Sequence, residues 1–240
     1  MIHCPPLSAQ SCRSCSTKHD ADWSPYQDNG GCVIAIGGPG YVIIAADTRL
    51  SEGFTIFSRE DSSKVALVAP RTLLGSTGMQ ADRIALQHVL KEKLRWYNFD
   101  NNRSPNTESI AQLLSNELYF RRFFPLYTFN VLAGLNAAGD GICYSYDAIG
   151  CTEPLSYGAT GSGHTLIEPL LDHYILRTNQ SIAESDRKNI KLSKEEAQLL
   201  VKDAFSGASE RDIYCGDTVI IKTLTPDQGL ETEVFHLRQD

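Results

Sequence analysis

Two short apolar runs, Cys32-Val33-Ile34-Ala35-Ile36 and Tyr41-Val42-Ile43-Ile44-Ala45-Ala46, flank the stretch Gly37-Gly38-Pro39-Gly40. Both runs are rich in β-branched residues, and the stretch between them is built from turn formers, so together they predict a β-hairpin. Neither run alternates with polar residues, so neither face of the hairpin is suited to water. The chain must therefore cover this hairpin on both sides, and that demands a layered fold. Its 240 residues are enough for one large domain or two small ones.

The remaining hydrophobic pattern supplies the layers. Val65 to Val68 and Thr72 to Gly75 read as a second strand pair around Ala69-Pro70-Arg71. Ile84, Leu86, Val89, Leu90, Leu94 and Tyr97 recur at helical spacing. A second helix is expected from Thr107 to Arg121, with Ile110, Leu113, Leu114 and Leu118 on one face and Pro125 beyond its end. Leu126 to Ala133 and Gly141 to Tyr146 form another predicted hairpin. A second helical pair follows. One helix starts after Gly161-Ser162-Gly163, with Leu166, Ile167, Leu170 and Leu171. The other opens on the capping-box pair Ser193 and Glu196, with Ala197, Leu200, Val201, Ala204 and Phe205 on its apolar face. Thr218 to Ile221 and Glu233 to Leu237 close the chain as strands around the turn at Thr225 to Gly229. The order is strands, two helices, strands, two helices, strands. No single helix crosses between successive parallel strands, so the expectation is an α+β fold of two antiparallel sheets with a helix pair on each outer face. Neither a 20–50-residue repeat nor a linker divides the core.

The formal net charge of −7 argues against nucleic acid or an anionic membrane as partner, because both are held by surplus Lys and Arg. No apolar run approaches the roughly 20 residues that span a bilayer. Residues 1–29 lack hydrophobic periodicity and read as an N-terminal extension ahead of a single domain at 30–240. They contain no apolar stretch of the signal-peptide kind, so the chain is expected in the cytoplasm and nucleus. The seven cysteines, an odd number, are expected as reduced thiols. Cys12 and Cys15, with Cys4, His3 and His19 nearby, have one half of a zinc-site spacing. No second ligand pair follows, so neither a metal nor any other cofactor is expected.

Four stretches carry a family resemblance: Ala45-Ala46-Asp47-Thr48-Arg49, Gly161-Ser162-Gly163, Glu210-Arg211-Asp212-Ile213-Tyr214 and Gly216-Asp217. In this order and at these separations they resemble the signature stretches of proteasome beta subunits, and the resemblance runs from Gly30 to the C-terminus. It implies a four-layer α-β-β-α sandwich of the N-terminal-nucleophile hydrolase type. In active members of that family, autolysis at a Gly-Thr bond frees a threonine whose hydroxyl attacks and whose α-amine acts as base. An α-amine suits that work because its pKa of about 7.7–8.0 leaves a neutral fraction near pH 7. Matched residue by residue, Asp47 and Asp212 stand for the family's two aspartates, Lys64 for its lysine and Ser162 for its serine. The lysine match requires one inserted residue within Glu60 to Ser63. Cys215 stands where active members usually have serine. Each residue also has a plainer reading: Asp47 can tie a turn, Lys64 can form an ion pair, and Ser162 can cap the following helix.

The nucleophile decides between these readings. By the resemblance it lies sixteen residues ahead of Asp47, where this chain has Gly31, a residue with no side-chain nucleophile. A supporting cast without a nucleophile implies a non-catalytic member, and Asp47, Lys64, Ser162 and Asp212 are then structural. The alternative is an N-terminal-nucleophile hydrolase using Cys32 after cleavage at Gly31. Against it, Cys32 is one residue out of register, which in a strand turns the side chain to the opposite face, and it opens an apolar run.

Asp47 to Phe54, Tyr119 to Pro125 and Pro169-Leu170-Leu171-Asp172 narrow the resemblance to the non-catalytic class at the sixth ring position. That class implies partners rather than a reaction: other beta subunits in a seven-membered ring, alpha-ring subunits on one side and the opposite beta ring on the other. It also implies that the loop after Tyr146 lines a specificity pocket of a neighbouring chymotrypsin-like subunit, with Asp147 as the candidate wall residue. The plain alternative for Asp147 is a turn aspartate ending a strand.

Overall fold

The structure, a computed structural model, describes residues 24–177, 179–181 and 192–238. In chain order the elements begin with β1 (Cys32–Gly38), β2 (Tyr41–Asp47), β3 (Leu50–Glu52), β4 (Thr55–Ser58), β5 (Val65–Ala69) and β6 (Thr72–Gly78). Two helices follow, α1 (Gln80–Asn101) and α2 (Thr107–Phe120), then β7 (Thr128–Leu135), β8 (Gly141–Tyr146), β9 (Thr152–Leu155) and β10 (Tyr157–Gly161). Next comes α3 (His164–Leu171), prolonged by a π-helical turn over Asp172–Leu176. The chain ends with α4 (Lys194–Ser209), β11 (Thr218–Thr225) and β12 (Gly229–His236).

Two five-stranded antiparallel sheets form, one in the order β10-β1-β2-β11-β12 and the other in the order β5-β6-β7-β8-β9. The opening hairpin shows why they stack. Along β1 and β2, Ile34, Ile36, Ile43 and Ala45 pack with Ile167, Leu171, Val201 and Phe205 of α3 and α4. Their sequence neighbours Val33, Ala35, Val42 and Ile44 pack on Leu73, Val131 and Ala133 of the other sheet. A third apolar layer joins that sheet's outer face, through Leu74, Leu132 and Tyr146, to Leu86, Leu90, Ile110 and Leu114 of α1 and α2. Three apolar interfaces separate four layers, and the result is the expected α-β-β-α sandwich. Truncating a residue such as Ile34 or Ile44 to Ala would cost about 2–5 kcal/mol, since these side chains are fully enclosed.

Several local expectations change. The buried face of α1 is Arg83, Leu86, Gln87, Leu90 and Leu94, while Ile84 is exposed. Apolar periodicity does not register Arg83 and Gln87, because they are polar. Leu166 of α3 is likewise exposed, and Ile167 and Leu171 carry the packing. The hairpin β3–β4 and the strands β9 and β10 have no counterpart in the sequence reading. They are short, and β4 and β9 face solvent along most of their length. The capping box at Ser193 forms as expected, with its hydroxyl accepting from the Glu196 amide and the Glu196 carboxylate accepting from the Ser193 amide. Cys4, Cys12, Cys15, His3 and His19 lie outside the described residues. Among the described residues no His, Cys, Asp or Glu cluster is spaced to hold a metal, and no helix is long and apolar enough to cross a membrane.

Candidate functional site

The matched residues arrive from four separate elements. Asp47 ends β2, Lys64 precedes β5, Ser162 follows β10, and Asp212 lies in the loop after α4. The sandwich brings all four around Gly31, the residue just ahead of β1.

Lys64 and Asp47 form a fully buried ion pair, Nζ to Oδ1 2.7 Å, with side-chain exposures of 1% and 0%. The ammonium also donates to the Arg49 carbonyl at 2.6 Å. Asp47 further accepts the amides of Cys32 (2.8 Å) and Gly216 (3.4 Å). Burial pushes its carboxyl above the ordinary carboxylate value, against the opposing pull of the Lys64 ammonium and these amides. Ahead of β5, Asp61 accepts from Ser63 and forms a buried pair with Arg83 at 2.7 Å.

On the other side of Gly31, the Ser162 hydroxyl donates to Asp212 Oδ2 at 2.6 Å. The Ser162 amide and hydroxyl both reach the Gly31 carbonyl, at 3.0 and 3.3 Å. Ser162 does not cap the helix, because the N-cap of α3 is Gly163 and carries no side-chain bond. Its hydroxyl is committed across the site instead. The peptide between Gly31 and Cys32 is thus gripped at both of its polar atoms, the carbonyl by Ser162 and the amide by Asp47.

Gly31 has φ +87° and Gly30 has φ +63°, so two consecutive residues adopt backbone that only glycine takes readily. Space is equally restricted. A Cβ on Gly31 would stand 2.6 Å from Lys64 Cε, nearer still to its Nζ, and 2.9 Å from Asp47 Oδ1.

Cys32 points the other way. Its side chain belongs to the apolar layer under α3 and α4 and is fully buried with Ile34, Phe205 and Cys215. The sulfur accepts the Gly163 amide at 3.2 Å and lies 3.8 Å from Asp212. Cys215 contacts it directly, and that hydrogen bond, then burial and the Asp47 charge, push the Cys215 thiol up. The Lys64–Asp47 pair faces position 31, as the one-residue register argument anticipates.

Asp147 sits in the turn after β8, exposed, with Oδ1 accepting the amides of Ile149 (3.0 Å) and Cys151 (2.7 Å). The plain turn reading therefore has direct geometric support. Sequence reasoning placed Asp217 in a signature stretch but gave it no role. Asp217, at φ +70°, accepts from Arg49 Nε (2.8 Å), from Arg49 Nη2 (3.3 Å) and from Arg59 Nη1 (2.7 Å). Burial works to raise the Asp217 pKa, but the Arg49 hydrogen bond and the two guanidinium charges overcome it and hold the carboxyl low. This pair ties the stretch ending in Arg49 to Gly216-Asp217. The signal available in the sequence was the pairing of an Arg with an Asp in two stretches that already belonged together.

Comparison with known proteins agrees with this geometry. A family model described as Proteasome subunit matches residues 27–224. A protein named Proteasome subunit beta type-1 from Arabidopsis thaliana is 49% identical over 224 residues, covering 93% of this chain and 100% of the relative. The protein of the same name from Drosophila melanogaster is 45% identical over 219 residues, covering 91% and 92%. Proteasome subunit beta type-1-B from Carassius auratus is 38% identical, covering 98% and 100%. With a matching model over most of its length and relatives this similar end to end, the chain belongs to the proteasome subunit family.

Proposed function

We propose that this chain is a non-catalytic beta subunit of the proteasome core particle. It supports assembly of the ring and ATP- and ubiquitin-dependent degradation of proteins by active neighbours. One observation carries the reading: the nucleophile position is a glycine at φ +87°, with its peptide gripped by Asp47 and Ser162. Hydrolysis of the N-terminal-nucleophile kind needs a side-chain nucleophile and a free α-amine at that place. Position 31 supplies neither while residue 30 remains attached. Asp47, Lys64, Ser162 and Asp212 then act as structural ties that hold the start of β1 against both sheets.

The partners proposed are other beta subunits in a seven-membered ring, alpha-ring subunits, and the opposite beta ring. The working compartments are the cytoplasm and nucleus. Residues 1–29 are proposed as an N-terminal extension to the single domain at 30–240, with Asn29 at its end bonded to Ser51, Gly78 and Gln80. We also propose Asp147 as part of a wall that this subunit presents to a neighbour's substrate pocket. The turn bonds to Oδ1 hold the carboxylate in a fixed, exposed position, which such a wall requires.

A test combines intact mass with a covalent probe directed at N-terminal nucleophiles. The full chain should remain unlabelled and should keep residues on the N-terminal side of Gly31. Probe attachment at residue 31 or 32, or a chain beginning at Cys32, would overturn the reading.

A further inference from the structure

Cys32 opens β1 and Cys215 lies in the loop between α4 and β11, yet the two segments run side by side. A single carboxylate fixes both backbones. Asp47 Oδ1 accepts the Cys32 amide at 2.8 Å, and its Oδ2 accepts the amide of Gly216, next to Cys215, at 3.4 Å. Just ahead of the pair, Gly30 packs so close to Tyr214 that a Cβ on the glycine would stand 2.5 Å from the tyrosine Cβ. Contacts before and after the two cysteines therefore hold their segments abreast.

The side chains meet in the apolar layer under α3 and α4, where both are fully enclosed. The Cys215 thiol donates to the Cys32 sulfur, and the Cys215 amide is tied to the Asp212 carbonyl at 3.3 Å. The Cys32 sulfur accepts the Gly163 amide at 3.2 Å and lies 3.8 Å from Asp212 Oδ2. Space around it is tight, since a Cβ on Gly163 would stand 2.5 Å from that sulfur. Cys151, by contrast, is exposed in the turn between β8 and β9.

Two thiols in contact, on separate segments with fixed backbones, need only lose their hydrogens to become a disulfide. We propose that Cys32 and Cys215 form an oxidation site, closed to an intramolecular disulfide by hydrogen peroxide. In the first step one sulfur, as thiolate, attacks a peroxide oxygen. A sulfenic acid forms, and the departing hydroxide takes up the thiol's proton as water. The second thiol then attacks the sulfenic sulfur, the S–S bond forms, and the displaced hydroxyl leaves with the second proton as water. In sum, two thiols and one peroxide give one disulfide and two waters. Two equivalents of a small thiol reverse the bond by exchange and leave as their own disulfide, so the lock is transient in a reducing compartment. Burial selects a small, neutral oxidant over bulky reagents, which meet Cys151 first. The bond would tie the start of β1 to the loop that carries Asp212, and so fix the surroundings of Gly31 covalently. The inference goes beyond the non-catalytic reading and does not depend on it.

The test treats the full chain with hydrogen peroxide, alkylates the remaining thiols under denaturing conditions and digests it without reduction. Mass spectrometry should find the peptide holding Cys32 joined to the peptide holding Cys215, and dithiothreitol should separate them. Cys151→Ser should form the bond as readily as the unaltered chain, which removes any relay through the exposed thiol. Cys215→Ser should not form it. Thermal unfolding of the unaltered chain, oxidised against reduced, needs no variant to fold. The oxidised form should unfold about 4–12 °C higher, as expected when a disulfide closes a long loop in a domain of this size. Alkylation of both Cys32 and Cys215 after peroxide treatment overturns the proposal. So does a bond from either one to another cysteine, or an unfolding temperature that oxidation does not raise.

Discussion

The Lys64 ammonium occupies the space that a side chain at Gly31 would need, since a Cβ there would lie 2.6 Å from Lys64 Cε and closer still to Nζ. The lysine is fixed by Asp47 and the Arg49 carbonyl, so it has little freedom to give way. Restoring a nucleophile by substitution is therefore opposed by both sterics and backbone. Gly31→Ala should cost at least the roughly 1–2 kcal/mol of placing a Cβ in left-handed backbone, with the Lys64 overlap in addition. Gly31→Thr should cost more and still leave an uncleaved chain. Thermal unfolding should show a fall of roughly 2–4 °C for each kcal/mol lost. Self-cleavage of Gly31→Thr, seen as a mass beginning at residue 31, would contradict this.

Lys64 and Asp47 should behave as a unit. Removing one partner leaves a buried charge without its counter-ion, so Lys64→Met is expected to cost about 3–5 kcal/mol. Asp47→Leu should be similarly damaging and also strands the Cys32 amide. The double variant should be less destabilised than the sum of the singles, by about 0.5–3 kcal/mol. Urea midpoints for the four chains provide the cycle, and strict additivity would mean that the pair carries no mutual stabilisation.

Asp217 and Asp61 predict the acid response. Both carboxyls are held below the ordinary value, Asp217 by Arg49 and Arg59 and Asp61 by Arg83 and Ser63, each against the raising effect of burial. A depressed folded-state pKa contributes stability that is fully present above the unfolded value of about 3.9 and lost as pH falls through the folded value. Stability should therefore hold from neutral pH to about 5 and decline below about 4. Asp217→Asn should lower stability at pH 7 and flatten the decline. An equal slope in the variant and the unaltered chain would remove Asp217 from the account.

The layers were legible because they rest on one-dimensional pattern. Ile34 and Val33 pack on opposite neighbours, and period-two burial on both faces requires cover on each side. The site residues were legible as types: Asp47, Lys64, Ser162 and Asp212 fall around Gly31. Their partners were not. The Ser162 hydroxyl reaches Asp212, 50 residues away, and Arg49 reaches Asp217 across 168. No local spacing encodes either bond. Hydrophobic pattern leaves Asn29 outside the domain, because Ser24 to Asn29 is polar and aperiodic. Its bonds to Ser51, Gly78 and Gln80 are polar contacts that hydrophobic periodicity does not register. The β3–β4 hairpin escaped for the complementary reason, since Phe54, Ile56 and Phe57 are apolar yet exposed.

Asp147 separates a local role from a role toward a neighbour. Its Oδ1 holds the turn by accepting the Ile149 and Cys151 amides, and either an aspartate or an asparagine can supply that oxygen. Its negative charge has no part in the turn. Asp147→Asn should therefore leave thermal unfolding unchanged, whereas Asp147→Ala frees two amides and should cost about 0.5–1.5 kcal/mol. If the carboxylate forms part of a neighbour's substrate pocket, both variants should shift the assembled particle's chymotrypsin-like preference away from peptides with a basic residue facing Asp147. An exposed charge pair contributes about 0.2–1 kcal/mol, so the expected change in kcat/KM is roughly 1.5- to 5-fold. The same preference in Asp147→Asn as in the unaltered particle would confine this residue to its own turn.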